Sequence, residues 1–493
     1  MSEQIVRVCV PVCVKSFAAL AEACARAGEW ADIIELRLDS VQDLDSEIET
    51  FVSRLSRPII LTFRPVEQGG YRVLARPERE AFWKRDWSLP ANSLFDIEYD
   101  LVVESSFEWP RVIVSHHDFN GVPNNLEEIY ERLAATPARI VKIAVNANDI
   151  TDCIRVFHLL NRASNEQREL IAIAMGNAGI ATRILGPSRG AYLTYGSLED
   201  ESATAPGQVN AQQLRSIYRI DEIDRETMIC GLIGLPVMHS VSPHAHNAAF
   251  AAEGVNGVYL PLEVRDVESF IRRMIHPVTR ELDWNVRGLS VTAPHKSSVM
   301  PLLDWIDAAA REIGAVNTVV IENDRLLGYN TDARGFISPL RERLGSLRDL
   351  RVAVIGAGGA ARAVVWALKR EQANVTLFAR APIKARSLSE AFEVSCELLS
   401  AASFAGYDVV INATPQSPAE AEQLAGAGLV YDLIYNPLET GFLKKGREAG
   451  CQTLGGLPML IAQAQRQFEL WTGKTPPIKV MYDAAAAALR HSF

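Results

Sequence analysis

The chain has 493 residues, 48% of them apolar and 22% charged, with 60 acidic against 50 basic side chains and a net charge of -10. That apolar content is enough for roughly two to four separately cored domains, and an acidic balance without a long basic run argues against nucleic acid as the partner. No stretch reaches the roughly 18 consecutive apolar residues that span a bilayer, and seven cysteines without a CxxC pair point to reduced thiols rather than a disulfide framework.

The opening MSEQIVRVCVPVCV runs directly into a strand-like segment. It lacks the basic region, long apolar core and small-residue cleavage site of a secretory leader, so a cytoplasmic protein is expected, or a plastid one if a transit peptide has been removed. Seven further short segments rich in β-branched residues follow: ADIIELRLD, PIILTFR, SLFDIEYD, RVIVSHHDF, RIVKIAV, LIAIAMG and AYLTYGS. Helix-like stretches such as LEEIYERLAA separate most of them, which is the rhythm of βα units on a parallel sheet. Eight such strands in about 210 residues count out a (β/α)8 barrel.

Polar residues gather at the carboxyl ends of these segments. Glu35 and Arg37 close the second, Arg64 the third, Glu98 the fourth, and Ser115, His116 and His117 the fifth, while Lys142 lies in the sixth and Met175 near the end of the seventh. Any one alone reads as an ion pair or a rim charge, but a barrel builds its active site at these ends, so their joint placement reads as a constellation. Lys142 stands in the apolar strand IVKIAV, where burial disfavours an ammonium and favours the neutral amine that attacks a ketone. The resulting iminium acidifies the neighbouring carbon, and a histidine such as His117 is suited to take that proton and return it to a leaving hydroxyl. Arg37, Arg64 and Arg183 can hold a substrate carboxylate or hydroxyls through forked hydrogen bonds.

On these residues the first half resembles the type I 3-dehydroquinate dehydratases, over about residues 4 to 218. The shared pieces are ELR at Glu35 to Arg37, TFR ending at Arg64, the pair Gly69-Gly70, SHHDF, VKIAV, Arg183, and TAPGQ from Thr204 to Gln208. The resemblance implies that Lys142 forms the Schiff base and His117 is the general acid/base. It also implies that Glu35, Arg37, Arg64, Arg183, Thr204 and Gln208 face substrate, with threonine at 204 where the family usually has serine. The family generally has glutamate just before the GG pair to orient the catalytic histidine; this chain reads Glu67-Gln68, one position displaced. We expect Gln68 to contact the histidine and Glu67 to turn outward.

The segment YRIDEIDRETM, residues 218–228, carries six charges and places a boundary near residue 224. Strands and helices alternate again beyond it. Ser240 and Ser242 in SVSPHAHN are paired hydroxyls at a helix start, able to cap the helix or donate to a carboxylate. Lys296 follows the strand SVTAPHK, Asn317 ends GAVN and Asp332 ends GYNTD. A lysine paired with an aspartate stays charged and can pass a proton to a carbonyl oxygen as hydride reaches its carbon.

RVAVIGAGGAARAVVWAL is a strand, a glycine turn and a helix. Gly356 permits the turn, Gly358 lets the backbone approach a pyrophosphate, and Ala361 replaces the third glycine of the dinucleotide fingerprint. The next strand, NVTLFAR, ends in Arg380 where an acidic residue would hold the ribose of NAD, and a cation there favours the 2'-phosphate of NADP.

Taken together these pieces resemble the shikimate dehydrogenases across about residues 228 to 493, adding NTDARG, INATP, DLIYNP and GGLPMLIAQA to the motifs above. By that resemblance Lys296 and Asp332 are the catalytic pair. Ser240, Ser242, Thr292, Asn317, Tyr435 and Gln463 are implied at the substrate. Gly356, Ala357, Gly358, Gly359, Ala360, Arg380 and Thr414 are implied at NADP. The expected organisation is α/β throughout: a (β/α)8 barrel over 1–222, a substrate lobe over 228–340 completed by C-terminal helices over 455–493, and a Rossmann nucleotide lobe over 347–453. The two resemblances imply a bifunctional shikimate-pathway enzyme that dehydrates 3-dehydroquinate and reduces 3-dehydroshikimate to shikimate, with no metal, since the histidines lack ligand spacing. Two other readings remain, a quinate-preferring dehydrogenase and a metabolite sensor without turnover. Ser242 and Thr292 argue against the first, and the four catalytic side chains against the second.

Overall fold

The computed structural model describes residues 6–44, 47–102, 108–199 and 207–490. The first sheet comprises eight parallel strands: β1 (Val8–Val12), β2 (Ile33–Arg37), β3 (Ile59–Thr62), β4 (Leu94–Glu98), β5 (Val112–Asp118), β6 (Ile140–Asn146), β7 (Glu169–Met175) and β8 (Thr194–Tyr195). Their order is β7-β6-β5-β4-β3-β2-β1-β8, and a parallel bridge from Leu170 to Ala191 closes the ring. The eighth segment pairs over two residues only. Gly196 follows so close to Ala211 that a Cβ on it would lie 2.8 Å from the Ala211 Cα, and the chain leaves the sheet there for the helix Ala211–Ser216.

Period-two alternation sorts the barrel residues into layers. Ile33, Ile60, Leu94, Ile113, Ile140, Ile171 and Leu193 plug the interior as one apolar cluster, while the intervening Ile34, Leu61, Val141 and Ile143 pack outward with the helices. Two residues further along each strand stand Glu35, Thr62, Asp96, Ser115, Lys142, Ile173 and Tyr195, and two further again Arg37, Arg64, Glu98, His117, Ala144 and Met175. Charge thus begins one layer above the hydrocarbon plug.

The second sheet is mixed, where simple strand-helix alternation was expected. Its strands β9 (Met228–Gly234), β10 (Gly257–Glu263), β11 (Val286–Val291), β12 (Trp305–Ile306), β13 (Thr318–Glu322) and β14 (Arg325–Tyr329) run in the order β10-β9-β11-β13-β14-β12. β13 lies antiparallel to both β11 and β14. Asn323 and Asp324, with φ of 50° and 59°, form the two-residue hairpin turn between β13 and β14, a conformation these residue types tolerate best after glycine.

The third sheet is wholly parallel: β15 (Arg351–Ile355), β16 (Asn374–Ala379), β17 (Ser395–Leu398), β18 (Val409–Asn412), β19 (Leu429–Asp432) and β20 (Gln452–Leu454), in the order β17-β16-β15-β18-β19-β20. Counted from its own first strand this is 3-2-1-4-5-6, the doubly wound dinucleotide-binding order. The helix Asp332–Leu344 leads into this sheet and Leu457–Thr472 leads back, packed side by side. Phe468, Trp471, Met481 and Leu489 then join Phe250 and Tyr259 in the core of the second sheet.

The barrel and the second sheet are not merely tethered. Arg265 donates to the Asn148 carbonyl (3.1 Å) and its backbone N–H to Asp149 (3.2 Å), Arg189 donates to the Asp283 carbonyl (3.3 Å), and Phe157 packs near Trp284. One apolar cluster runs continuously from barrel residues such as Phe157 and Leu185 into Leu282, Trp284 and Val286. Among the described residues no helix is long and apolar enough to cross a membrane.

Candidate active sites

In the barrel, Lys142 is 5% exposed and its Nζ donates to Asp96 Oδ2 at 2.7 Å and to the Tyr195 hydroxyl at 2.9 Å. Glu35 Oε1 stands 3.7 Å away and is itself held by the Thr62 hydroxyl at 2.6 Å. The strand around Lys142 is apolar, as read, but the side chain reaches out of it between two carboxylates. Arg64 pairs with the same Asp96 oxygen at 2.5 Å. Against the cost of burial, Arg64 and Lys142 together hold the Asp96 carboxyl well below its usual range.

His117 lies one layer higher. The Arg64 guanidinium faces its ring, with Nη1 3.2 Å from Nδ1 and a closer contact to Nε2. Burial, reinforced by Arg64, holds this imidazole well below its usual range, which favours its neutral form near pH 7. His116 points the opposite way, toward Asp118 and Arg132 on the outer side. Arg37 makes a forked pair with Asp39 at 2.9 and 3.1 Å and donates to the Gly69 carbonyl at 2.7 Å. Arg183 is 1% exposed on the helix Ile180–Leu185, and burial lowers its guanidinium to about 10. Glu35, Arg37, Arg64, His117, Lys142, Met175, Arg183 and Gln208 line one small cavity. Thr204 lies outside the described residues.

The expectation for the displaced acid needs correcting in one respect. Glu67 is exposed, but Gln68 Oε1 accepts from the backbone N–H of His117 at 3.2 Å rather than from its ring. Gly69, at φ +82°, turns the chain back, and Gly70 passes so close to the Arg64 carbonyl that any Cβ would collide with it. The loop therefore braces the end of β5, and Arg64 takes the place at the imidazole.

In the second half, Lys296 Nζ donates to Asp332 Oδ2 at 2.6 Å and Asn317 Nδ2 donates to Oδ1 at 2.8 Å, so both carboxylate oxygens are occupied. Ser240 donates to Ser242 at 3.1 Å. Burial raises the Tyr435 phenol, opposed by its hydrogen bond with Ser240. Ser240, Ser242, Thr292, Lys296, Asn317, Asp332, Tyr435 and Gln463 line a single cavity of about 500 Å³ between the second and third sheets, with Ala360 on its far wall. A Cβ placed on Gly359 would lie 3.9 Å from Lys296 Cδ, which sets the Lys296–Asp332 pair against the glycine turn.

A second cleft of about 580 Å³ opens at the carboxyl edge of the third sheet, lined by Gly356, Ala357, Arg380 and Thr414. Gly356 has φ +120° and would place a Cβ 3.0 Å from Thr414 Cγ2 and 3.1 Å from the Ala413 carbonyl oxygen, so glycine is required there. A Cβ on Gly358, at the N-terminus of the helix Gly359–Arg370, would meet nothing within 4 Å. Open backbone at a helix N-terminus beside a strand-end arginine suits a dinucleotide phosphate. Among the described residues no group of three or more His, Cys, Asp or Glu could hold a metal ion.

Sequence reasoning passed over Asp96, Tyr195 and Thr331. Asp96 and Tyr195 follow the inward Leu94 and Leu193 by two residues, as Lys142 follows Ile140, so strand alternation was the signal that could have found them. Thr331 lies inside the motif NTDARG, unremarked there, and bonds Asn317, its backbone N–H donating to Oδ1 at 2.7 Å.

A barrel with an ion-paired lysine at the base of its mouth, joined to a lysine-aspartate pair facing a dinucleotide fold, defines a two-site enzyme with lyase and oxidoreductase machinery in one chain. Family descriptions divide the sequence in the same way: type I 3-dehydroquinase matches residues 8–225, shikimate dehydrogenase substrate binding domain 232–319, shikimate/quinate 5-dehydrogenase 339–423, and shikimate 5'-dehydrogenase C-terminal domain 456–486. The chloroplastic bifunctional 3-dehydroquinate dehydratase/shikimate dehydrogenase of Arabidopsis thaliana is 33% identical over 95% of this chain and 82% of its own. The shikimate biosynthesis protein AroDE of Chlamydia pneumoniae is 30% identical over 94% of both. A crystal structure of a shikimate dehydrogenase in complex with NADP+ is 38% identical, with a TM-score of 0.50, over 54% of this chain and 97% of that one. The chain belongs to the family of bifunctional 3-dehydroquinate dehydratase/shikimate dehydrogenases.

Proposed function

We propose that the barrel dehydrates 3-dehydroquinate to 3-dehydroshikimate and that the second half reduces this product to shikimate with NADPH. The observation that carries the reading is the presence, in one chain, of Lys142 within reach of Asp96 and of Lys296 bonded to Asp332 against a glycine turn. The work divides among a barrel at 1–222, a substrate lobe at 228–340 with 455–493, and a nucleotide lobe at 347–453. Seven free thiols support a reducing compartment, the cytoplasm.

In the barrel, Lys142 attacks the ketone, and the iminium draws electrons from the adjacent carbon. His117, neutral in its buried site, takes the proton from that carbon and delivers it to the departing hydroxyl. Arg37, Arg183 and Gln208 hold the substrate's carboxylate and hydroxyls. In the second half, Ser240, Ser242, Thr292, Asn317, Tyr435 and Gln463 orient the product of the first reaction. Lys296, oriented by its hydrogen bond to Asp332, gives a proton to the carbonyl oxygen. NADPH, when bound, supplies the hydride, and Gly356 to Ala360, Thr414 and Arg380 would hold it.

The test is turnover by the intact chain. With 3-dehydroquinate and NADPH, loss of nicotinamide absorbance should accompany shikimate formation, and quinate with NADP+ should be the poorer substrate. Failure with 3-dehydroquinate but success with 3-dehydroshikimate would remove the barrel's assignment, and failure with both would leave a binding protein. Cofactor choice gives a separate measurement. Arg380→Ala should weaken NADPH binding by about 10- to 100-fold, the scale of a hydrogen bond to a charged group at about 1.5–3 kcal/mol, while NADH binding stays nearly constant. Equal loss with both cofactors would make Arg380 a structural residue.

A further inference from the structure

We propose that Tyr195 is a catalytic residue of the barrel, its hydroxyl fixing the face from which Lys142 Nζ attacks. The inference rests on the dehydratase reading above and adds a group that the sequence motifs do not contain. Tyr195 closes β8, the shortest strand of the barrel, and its side chain is 4% exposed in the same layer as Lys142. Its oxygen accepts from Lys142 Nζ at 2.9 Å, and its ring centroid lies 4.5 Å from the same nitrogen. Among the described residues Nζ has one other hydrogen-bond acceptor, Asp96 Oδ2 at 2.7 Å, with Glu35 Oε1 further off at 3.7 Å.

An ammonium has three N–H vectors at tetrahedral angles, and only the neutral amine has a lone pair to give. With one vector held by Asp96 and one by Tyr195, one remains without a hydrogen bond among the described residues, and Lys142 lines the same cavity as His117 and Arg183. Loss of that proton leaves the lone pair directed at the bound ketone. The step balances as an ammonium and a ketone giving an iminium and water. The nitrogen lone pair forms the N–C bond, the C–O bond breaks with its electron pair, and the two protons shed by nitrogen leave on that oxygen. The proton retained on the iminium is the one facing Asp96, where the carboxylate offsets the new charge. The Asp96 bond alone leaves two positions on the nitrogen open to the lone pair, and the hydrogen bond to Tyr195 takes one of them. Burial keeps the Tyr195 phenol protonated, so it acts through its hydrogen bond and not as a phenolate.

Tyr195→Phe keeps the ring and removes only the oxygen. Its kcat for 3-dehydroquinate should fall about tenfold, the scale of one hydrogen bond to a charged group, with KM changed less than about twofold. In rapid-quench experiments with borohydride, the rate at which the adduct forms on Lys142 should fall by the same factor, and reduction of 3-dehydroshikimate by the same preparation should not change. A variant that traps and turns over at the wild-type rate would overturn the assignment of Tyr195 alone, whereas a wild-type chain that takes no adduct at Lys142 would overturn the dehydratase reading as well. A measurement on the unaltered chain covers the case in which Tyr195→Phe fails to fold. In a crystal structure of the borohydride-reduced wild-type adduct, the secondary amine should remain within hydrogen-bond distance of Tyr195 Oη, and a separation that excludes a hydrogen bond would overturn the proposal.

Discussion

Lys142→Met should lower the dehydratase kcat by about 10⁴-fold or more, since no other amine can take over the covalent step, and leave the reduction of 3-dehydroshikimate at its original rate. Methionine is chosen because it fills the volume of the lysine stem. Removing one partner of a buried ion pair ordinarily costs about 3–5 kcal/mol when the other is left uncompensated, but Asp96 keeps Arg64 at 2.5 Å. The barrel should therefore remain folded, with a modest decrease in Tm. In the wild-type chain, borohydride added with 3-dehydroquinate should inactivate the dehydratase and add mass at Lys142 while sparing the dehydrogenase. An adduct on another residue would sink the covalent mechanism, as would a Lys142→Met chain that still dehydrates.

The converse effect is expected at the second site. Lys296→Met should reduce the dehydrogenase kcat by about 10³-fold, within the span that general acid catalysis supplies, and leave dehydration of 3-dehydroquinate untouched. Asp332→Asn should cost less in kcat, about 10²-fold, because the lysine remains but loses the charge that orients it. It should also raise the KM for 3-dehydroshikimate, since Asp332 Oδ1 is the acceptor for Asn317, which faces the same cavity. Steady-state kinetics with each substrate in turn read both variants. A Lys296→Met chain with normal kcat and raised KM would make the lysine a binding group and not the proton donor.

The barrel was legible because strands buried on both faces write themselves as apolar runs, and because the inward positions become polar toward their carboxyl ends. The glycine turn was legible because it must reconcile a positive φ at Gly356 with an open helix N-terminus at Gly358, and few sequences do both. Partner choice was less legible. Nothing near Arg64 in sequence says that its guanidinium faces the imidazole of His117 and shares Asp96 with Lys142; closure of the ring decides that. Gln68 shows the same limit on a smaller scale, since the residue was identified but the group it bonds depends on how Gly69 and Gly70 fold the loop back onto Arg64. The antiparallel strand β13 escaped because Asn323-Asp324 is a weaker hairpin mark than a pair containing glycine.

The shared apolar cluster through Phe157, Leu185 and Trp284 changes what the charged segment at 218–228 can be. A cut within that segment would break one covalent strand and leave the seam in place, so the two halves would stay together as a nicked pair. Two separately made halves, by contrast, would each carry a sticky patch that the other is shaped to cover. The charge pattern of the sequence puts the joint in the chain near residue 224, whereas the two halves meet through Phe157 and Trp284.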